Sequence, residues 1–419
     1  MPRTSRICRL LAIALIISAS VGNGDERRSL PLLVVDGKTV PATIEELTPE
    51  WGIAVRVDGQ TRRIEPSEYV LWGAYSDDDR SSQILLTDDS VLVGDLIRIE
   101  AESVTIASLQ WGELQLDRRM VRAFLMLPKA DPLERDRQWQ TLRELEAADR
   151  VLLRSGDAIE GRLLPTTEQE NGGLFGLISL GIELPNNGES TSIGIEEIQA
   201  LTFHAPMSVS KSEGLLGFRD GSLVAVSTLT RPQPRVTQIG TAAGASLRLR
   251  NDELRESLTF IQPQHGRITY LSDLPALGYK SLPFLKLEWP LGVGANTLGG
   301  RLRSAGNIAF KGLGMHSTSR VAYNLDGKYQ SFQAEVALDD HAGRQGSVVY
   351  RVLVERDNGS GERQWSVAFT SPILRGGDPP LPITIDVTSA TRMALVVEMA
   401  DRADTRDYAN WLNARLVKP

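Results

Sequence analysis

The chain has 419 residues, 41% of them hydrophobic and 24% charged, with a formal net charge of -7. That length allows two or three domains, each able to bury its own core. The acidic balance argues against a nucleic-acid partner or an anionic membrane surface.

The N-terminus reads as an export signal over residues 1–22. Arg3, Arg6 and Arg9 precede an unbroken apolar run from Leu10 to Ile17, small residues follow, and charge returns at Asp25-Glu26-Arg27-Arg28. The run is too short to span a bilayer as a stable helix, so no membrane span is expected after cleavage; a retained signal anchor is the alternative. The expected location is secreted, periplasmic or cell-surface. The single cysteine, Cys8, lies inside this segment. A mature chain without it has no disulfide, thiolate metal site or cysteine nucleophile.

Residues 26–127 are short apolar runs broken by Gly, Asp and Asn, a pattern of strands and tight turns. One phrase recurs four times: apolar strand, Asp-Gly-like turn, apolar strand. It appears at Leu33–Val40, Leu85–Gly94, Leu152–Gly161 and Leu216–Val224. Asp and Gly tolerate the positive φ of a tight hairpin turn. Trp51-Gly52 and Trp111-Gly112 each introduce a further alternating strand, and Tyr69–Trp72 and Val121–Leu125 close the two segments. Each unit has the size of a small five-stranded SH3-like barrel. A single continuous, irregular β-domain is the alternative. A linking helix is expected over 128–150, capped by Asp131, with Pro132 in its first turn and Trp139, Leu142, Leu145 and Ala148 along one face. A further β-unit follows over 151–261, with loops at 165–173 and 185–192.

From about residue 262 the strands lengthen. Ser331–Leu338 and Ser347–Val354 alternate strictly, and Ile383–Val387 and Met393–Met399 follow. Strands at this spacing with no helical period between them predict a β-sandwich over 262–419. Four short phrases punctuate it: Gly312-Leu313-Gly314-Met315-His316, Leu338-Asp339-Asp340-His341, Leu374-Arg375-Gly376-Gly377-Asp378, and Asp407-Tyr408-Ala409-Asn410-Trp411 continuing to Leu416. In that order they resemble the NPCBM family of carbohydrate-binding modules, and Tyr270–Pro275 is similar to the family's entry segment. The resemblance implies a galactose-binding-like jelly-roll sandwich. It also implies a glycan ligand of the galactose-containing kind, and often a structural calcium. Many members carry Asp-His-Ala-Asp-Trp near the C-terminus; here Tyr408 replaces the histidine and Asn410 the second carboxylate.

The candidate sugar contacts are His316, Trp365, Arg375, Asp378, Asn410 and Trp411. A neutral imidazole can hydrogen-bond a hydroxyl, and an indole can stack on an apolar sugar face. Core packing is the competing reading for both tryptophans. Asp339 and Asp340 are candidate calcium ligands, hard oxygens at a strand end, with turn formation as the alternative. No hydrolase, zincin or P-loop motif is present, and the four histidines are scattered singly. The sequence therefore predicts a secreted, non-catalytic glycan-binding protein. A structural or protein-interaction module with a degenerate sugar site, its partner held by the N-terminal β-units, is the alternative. A glycan-active enzyme ranks below both.

Overall fold

The computed structural model describes residues 28–77, 81–143, 148–167, 177–185, 188–204, 210–264, 266–282, 284, 287–357 and 362–419. The expected signal peptide, Cys8 and His265 lie outside them. No helix among the described residues is long and apolar enough to cross a membrane.

The N-terminal part repeats one strand circuit four times. The first unit comprises β1 (Leu30–Val34), β2 (Thr39–Leu47), β3 (Ile53–Val57), β4 (Gln60–Ile64) and β5 (Tyr69–Gly73). β1 to β4 pair antiparallel in succession, and β5 returns to pair with β1. The second contains β6 (Gln83–Leu86), β7 (Val91–Val93), β8 (Asp95–Ile99), β9 (Ser103–Ser108), β10 (Gly112–Asp117) and β11 (Val121–Leu125), with β11 back on β6. The helix α1 (Pro132–Arg143) precedes the third, made of β12 (Asp149–Leu153), β13 (Ala158–Leu163), β14 (Ser179–Glu183), β15 (Ser190–Gly194) and β16 (Ile198–Thr202). The fourth holds β17 (Gly214–Phe218), β18 (Leu223–Gln233), β19 (Val236–Thr241), β20 (Ser246–Arg250), the short helix α2 (Asn251–Ser257) and β21 (Leu258–Pro263). In the last two, β16 returns to β12 and β21 to β17. A single 3-10 turn stands before each of the first three closing strands, and α2 takes its place in the fourth.

The recurring hairpin phrase has one cause. In three units an Asp carboxylate at the turn accepts the backbone N–H two residues on, from Lys38, Ser90 and Ser222. The positive φ falls on Gly37, Asp89, Gly156 and Gly221 in turn. The two Trp-Gly pairs are not equivalent, however. Trp51 precedes the third strand of its unit, whereas Trp111 precedes β10, the fifth strand of its own, and packs edge-on against Phe218 of the fourth unit.

Units this small cannot bury enough apolar surface alone. They fuse instead: β5 pairs with β21, β11 with β16, and β7 with β18. One hydrophobic cluster runs through all four. Gly73 makes the first joint possible. A Cβ there would lie 1.9 Å from the Thr259 carbonyl oxygen, and its φ is 83°.

Two boundaries differ from expectation. The helix ends its described run at Arg143, and Asp149–Leu153 is a strand rather than its last turn. Ser190–Ser192, expected as loop, lies in β15 and pairs with β14. Trp139 and Leu142 are buried as the apolar face requires, and the Asp131 carboxylate caps the helix by accepting the Glu134 N–H at 3.0 Å.

The C-terminal part is a two-sheet antiparallel sandwich. Its elements are β22 (Ile268–Tyr270), β23 (Gly278–Ser281), β24 (Gly292–Val293), β25 (Leu302–Ser304), β26 (Asn307–Ala309), β27 (Gly312–His316), β28 (Ser319–Asn324) and β29 (Ser331–Leu338). Then come β30 (Ser347–Asp357), β31 (Arg363–Thr370), β32 (Leu374–Arg375), β33 (Leu381–Asp386), β34 (Arg392–Met399) and β35 (Tyr408–Val417). One sheet runs β24-β27-β35-β29-β33, the other β23-β28-β34-β30-β31. Alternate residues of both sheets meet in one core around Phe332, Tyr350, Leu395 and Trp411.

The sandwich is docked on the N-terminal array. Ile308 bridges to Tyr75 and packs beside Trp139, Val417 packs on Leu33 and Val70, and Gln333 donates its side-chain N–H to the Val35 carbonyl at 2.9 Å. The dock centres on a buried ion cluster. Asp77 and Asp136 from the N-terminal side face Arg135 of α1 and Arg301 and Arg303 of the sandwich. Burial alone would push both carboxyls up. Arg303 and Arg301 beside both, with Arg135 also on Asp77, reverse this and hold both below the ordinary carboxylate range. The charged face of α1 thus supplies the buried residues Arg135 and Asp136.

Candidate functional site

The six predicted sugar contacts fall in three places. Trp411 and Asn410, on β35, turn inward. Trp411 is fully buried, edge-on to Tyr350 at 5.1 Å, and its indole N–H has no hydrogen-bond partner. Asn410 is equally buried and donates to the Asp339 carboxylate at 2.7 Å and to the Arg303 carbonyl at 3.3 Å. Neither reaches a surface ligand. Trp365 is 39% exposed on β31, opposite Glu355, and lies under the Arg392 guanidinium. That is the far end of β30 from Ser347, roughly 26 Å away at about 3.3 Å per residue.

The other three gather at the Ser347 end. Arg375 pairs with Asp401 at 2.6 Å, and its backbone N–H is held by Asp378 at 2.8 Å. Ser347 is bonded to Asp401 through both its hydroxyl and the Asp401 N–H. The same serine's backbone N–H donates to Asp407 at 2.8 Å, and Ser317 donates to the other Asp407 oxygen at 2.5 Å. His316 is next along. A continuous polar chain therefore ties Arg375 to His316 across the rim of the sandwich.

Burial pushes the Asp407 carboxyl up to about 6, against the lowering effect of its two hydrogen bonds. His316 is lowered by burial, so it is neutral near pH 7. Its Nδ1 lies 2.8 Å from the Ser317 carbonyl and so carries the proton, leaving Nε2 as an acceptor. The ring stacks on Trp289, with centroids 4.4 Å apart and planes 11° from parallel, and Tyr408 closes the group at 5.7 Å from each. Trp289 and Tyr408 are half-buried. His316 is only 2% exposed beneath them, so the indole and phenol supply the apolar faces at the rim and the imidazole a hydroxyl-compatible hydrogen-bonding edge behind them.

Sequence reasoning missed Trp289. It lies in an aperiodic stretch before Pro290, where a lone tryptophan with no core face to occupy was the available signal. Tyr408 read only as a departure from the family phrase. Three residues with positive φ, Arg402, Ala403 and Arg406, bend the chain just before it and present it at the rim.

The calcium reading does not fit the donor set. Asp339 is 1% exposed and accepts from the His341 N–H and Nδ1, the Arg303 N–H, and the side-chain amides of Asn296 and Asn410. Asp340 accepts the backbone N–H groups of Ala305 and Gly306 at 2.8 and 2.9 Å. Both carboxylates serve as turn and network acceptors, and no metal-competent cluster of acidic, histidine or cysteine side chains occurs among the described residues.

The rim thus lies at one end of a two-sheet antiparallel β-sandwich. Residues 268–417 match the NPCBM/NEW2 domain model, and this part of the chain is an NPCBM domain; no family model matches the N-terminal part. A protein of Renibacterium salmoninarum named "Putative endo-alpha-N-acetylgalactosaminidase" is 27% identical over 151 residues, 36% of this chain and 9% of the relative. The chain thus spans less than a tenth of that relative's length. Among solved structures, the CBM51-2 and INT domains of Clostridium perfringens ZmpB are 23% identical over 44% of this chain and 36% of that one, with a TM-score of 0.31. CBM51 from the Clostridium perfringens GH95 protein, in complex with methyl-galactose, is 21% identical over 36% of this chain and 99% of that one, with a TM-score of 0.30.

Proposed function

We propose that this is an exported, non-catalytic protein that binds an extracellular or cell-surface glycan at the Trp289–His316–Tyr408 rim. The stacked aromatic and imidazole rings at the strand ends of an NPCBM domain carry this reading. Trp289 offers the apolar contact, His316 Nε2 accepts from a sugar hydroxyl, and Arg375 and Asp378 shape the neighbouring loop. Recognition is shallow, with weak affinity per site. The N-terminal β-units at 26–127 and 151–261, linked by the helical segment 128–150, hold the sandwich of 262–419 and offer surface to a protein partner.

A glycan array with the full-length chain tests this. Binding to at least one glycan is expected, falling tenfold or more in Trp289→Ala and persisting in Trp411→Phe, whose ring is in the core. Binding to no glycan overturns the proposal. Turnover of a bound glycan overturns the non-catalytic part.

A further inference from the structure

A cleft of about 280 Å³ lies between α1 and the sandwich, beside Tyr408. It is slightly smaller than the range that drug-sized ligands fill, and suits a single sugar unit. One wall is the NPCBM domain, with His341, Arg406 and Tyr408; the other is the helix, with Leu133, Asp136 and Arg137. We infer that this cleft is an anion-accepting subsite, which takes the carboxylate or sulfate group of an acidic sugar.

Three observations support it. Arg137 and Arg406 both line the cleft, and neither makes an ion pair among the described residues. A guanidinium presents planar paired donors that match carboxylate and sulfate oxygens. Next, the carboxylate in the wall is already neutralised. Asp136 accepts from Arg301 at 2.9 Å and from Arg303 at 2.7 and 3.1 Å, so it does not oppose an incoming anion. Last, His341 has an orphaned nitrogen. Its side chain is 8% exposed, Asp339 holds Nδ1 at 2.5 Å, and the buried Nε2 has no partner. Buried polar groups are almost always satisfied, so an unpartnered one in a cleft wall points to a group from outside.

The acidic-sugar assignment rests on the glycan reading above; the anion site itself does not. The test uses the full-length chain at low salt with three probes: galactose, galacturonic acid and galactose 6-sulfate, titrated calorimetrically. At least one acidic probe should bind tenfold or more tighter than galactose and weaken as salt rises. Which of the two does so identifies the anion. The R137Q/R406Q double variant should bring it down to the galactose level, whereas Trp289→Ala should weaken all probes alike. Equal affinity for the three, or a double variant that binds as the wild type does, overturns the inference while leaving the glycan reading standing. Inorganic sulfate gives an independent readout. It should shift the His341 ring resonances in a nitrogen-correlated NMR spectrum, and an unmoved His341 counts against the site. If no sugar binds but sulfate moves His341, the glycan reading falls and the anion site remains.

Discussion

Asp407 sits fully buried between Ser317 and Ser347, with its carboxyl raised to about 6. A raised carboxyl favours folding when protonated. Its contribution is complete below the unfolded value, near 3.8, and is lost as pH rises through the folded value. The difference of about two pK units corresponds to about 3 kcal/mol, at ~1.4 kcal/mol per unit. Asp407→Asn removes the charge and keeps the geometry: the amide oxygen still accepts the Ser347 N–H, and the amide N–H donates to the Ser317 hydroxyl. The stability of the variant relative to wild type should therefore climb by about 3 kcal/mol between pH 4 and pH 7, then level off. Denaturant unfolding of the full-length chain at half-unit pH steps, followed by tryptophan fluorescence, measures the difference; groups other than Asp407 cancel in it. A difference that stays flat across this range refutes the argument, as does a direct NMR titration placing the Asp407 carboxyl near 4.

Three further changes test other joints. Gly73→Ala puts a Cβ against the Thr259 carbonyl at a positive φ, so it should cost well over about 1 kcal/mol and loosen the pairing of the first and fourth units, visible as faster amide exchange in Phe260 and Ile261. Asp136→Asn leaves Arg301 and Arg303 buried with one carboxylate fewer and should cost about 3–5 kcal/mol, with the α1–sandwich junction becoming open to proteolysis. Chelation by EDTA should leave the thermal midpoint of the full-length chain unchanged, because the oxygens of Asp339 and Asp340 already accept N–H groups; a drop of several degrees contradicts that account.

The sandwich was legible because strict alternation in Ser331–Leu338 and Ser347–Val354 can only be read one way, and because the turn phrases obey local backbone chemistry. The hairpin repeat was legible for the same reason: an Asp accepting the N–H two residues ahead is a property of four adjacent residues. What remained hidden depends on partners far away in sequence. Arg135 and Asp136 look like ordinary helix surface until Asp77, Arg301 and Arg303 arrive from two other segments. Trp289 has no periodicity to mark it. Trp411 and Trp365 alternate in similar strands, and only the sandwich closing over β35 sends one to the core and leaves the other exposed. Fold follows from near neighbours here, whereas the ion cluster is assembled by the dock and the rim by three segments of the sandwich far apart in sequence.

The family phrase carries a carboxylate where this chain has Asn410, and the surroundings show what that exchange does. The Asn410 amide donates to an Asp339 oxygen at 2.7 Å, with both side chains excluded from water. Two carboxylates at that distance cannot both ionise without a proton or a cation between them. The asparagine supplies the proton permanently, so Asp339 is held by Asn410, His341, Asn296 and the Arg303 backbone without an ion. Asn410→Asp should therefore fold at low pH, where one proton bridges the pair, and lose about 3–5 kcal/mol as pH rises above neutrality. Added calcium should return part of that loss in the variant and do nothing to the wild type. Thermal melts at pH 5 and pH 8, with and without calcium, separate these outcomes. A variant equally stable at both pH values would mean that the two side chains move apart, and that the amide is not what holds Asp339 in place.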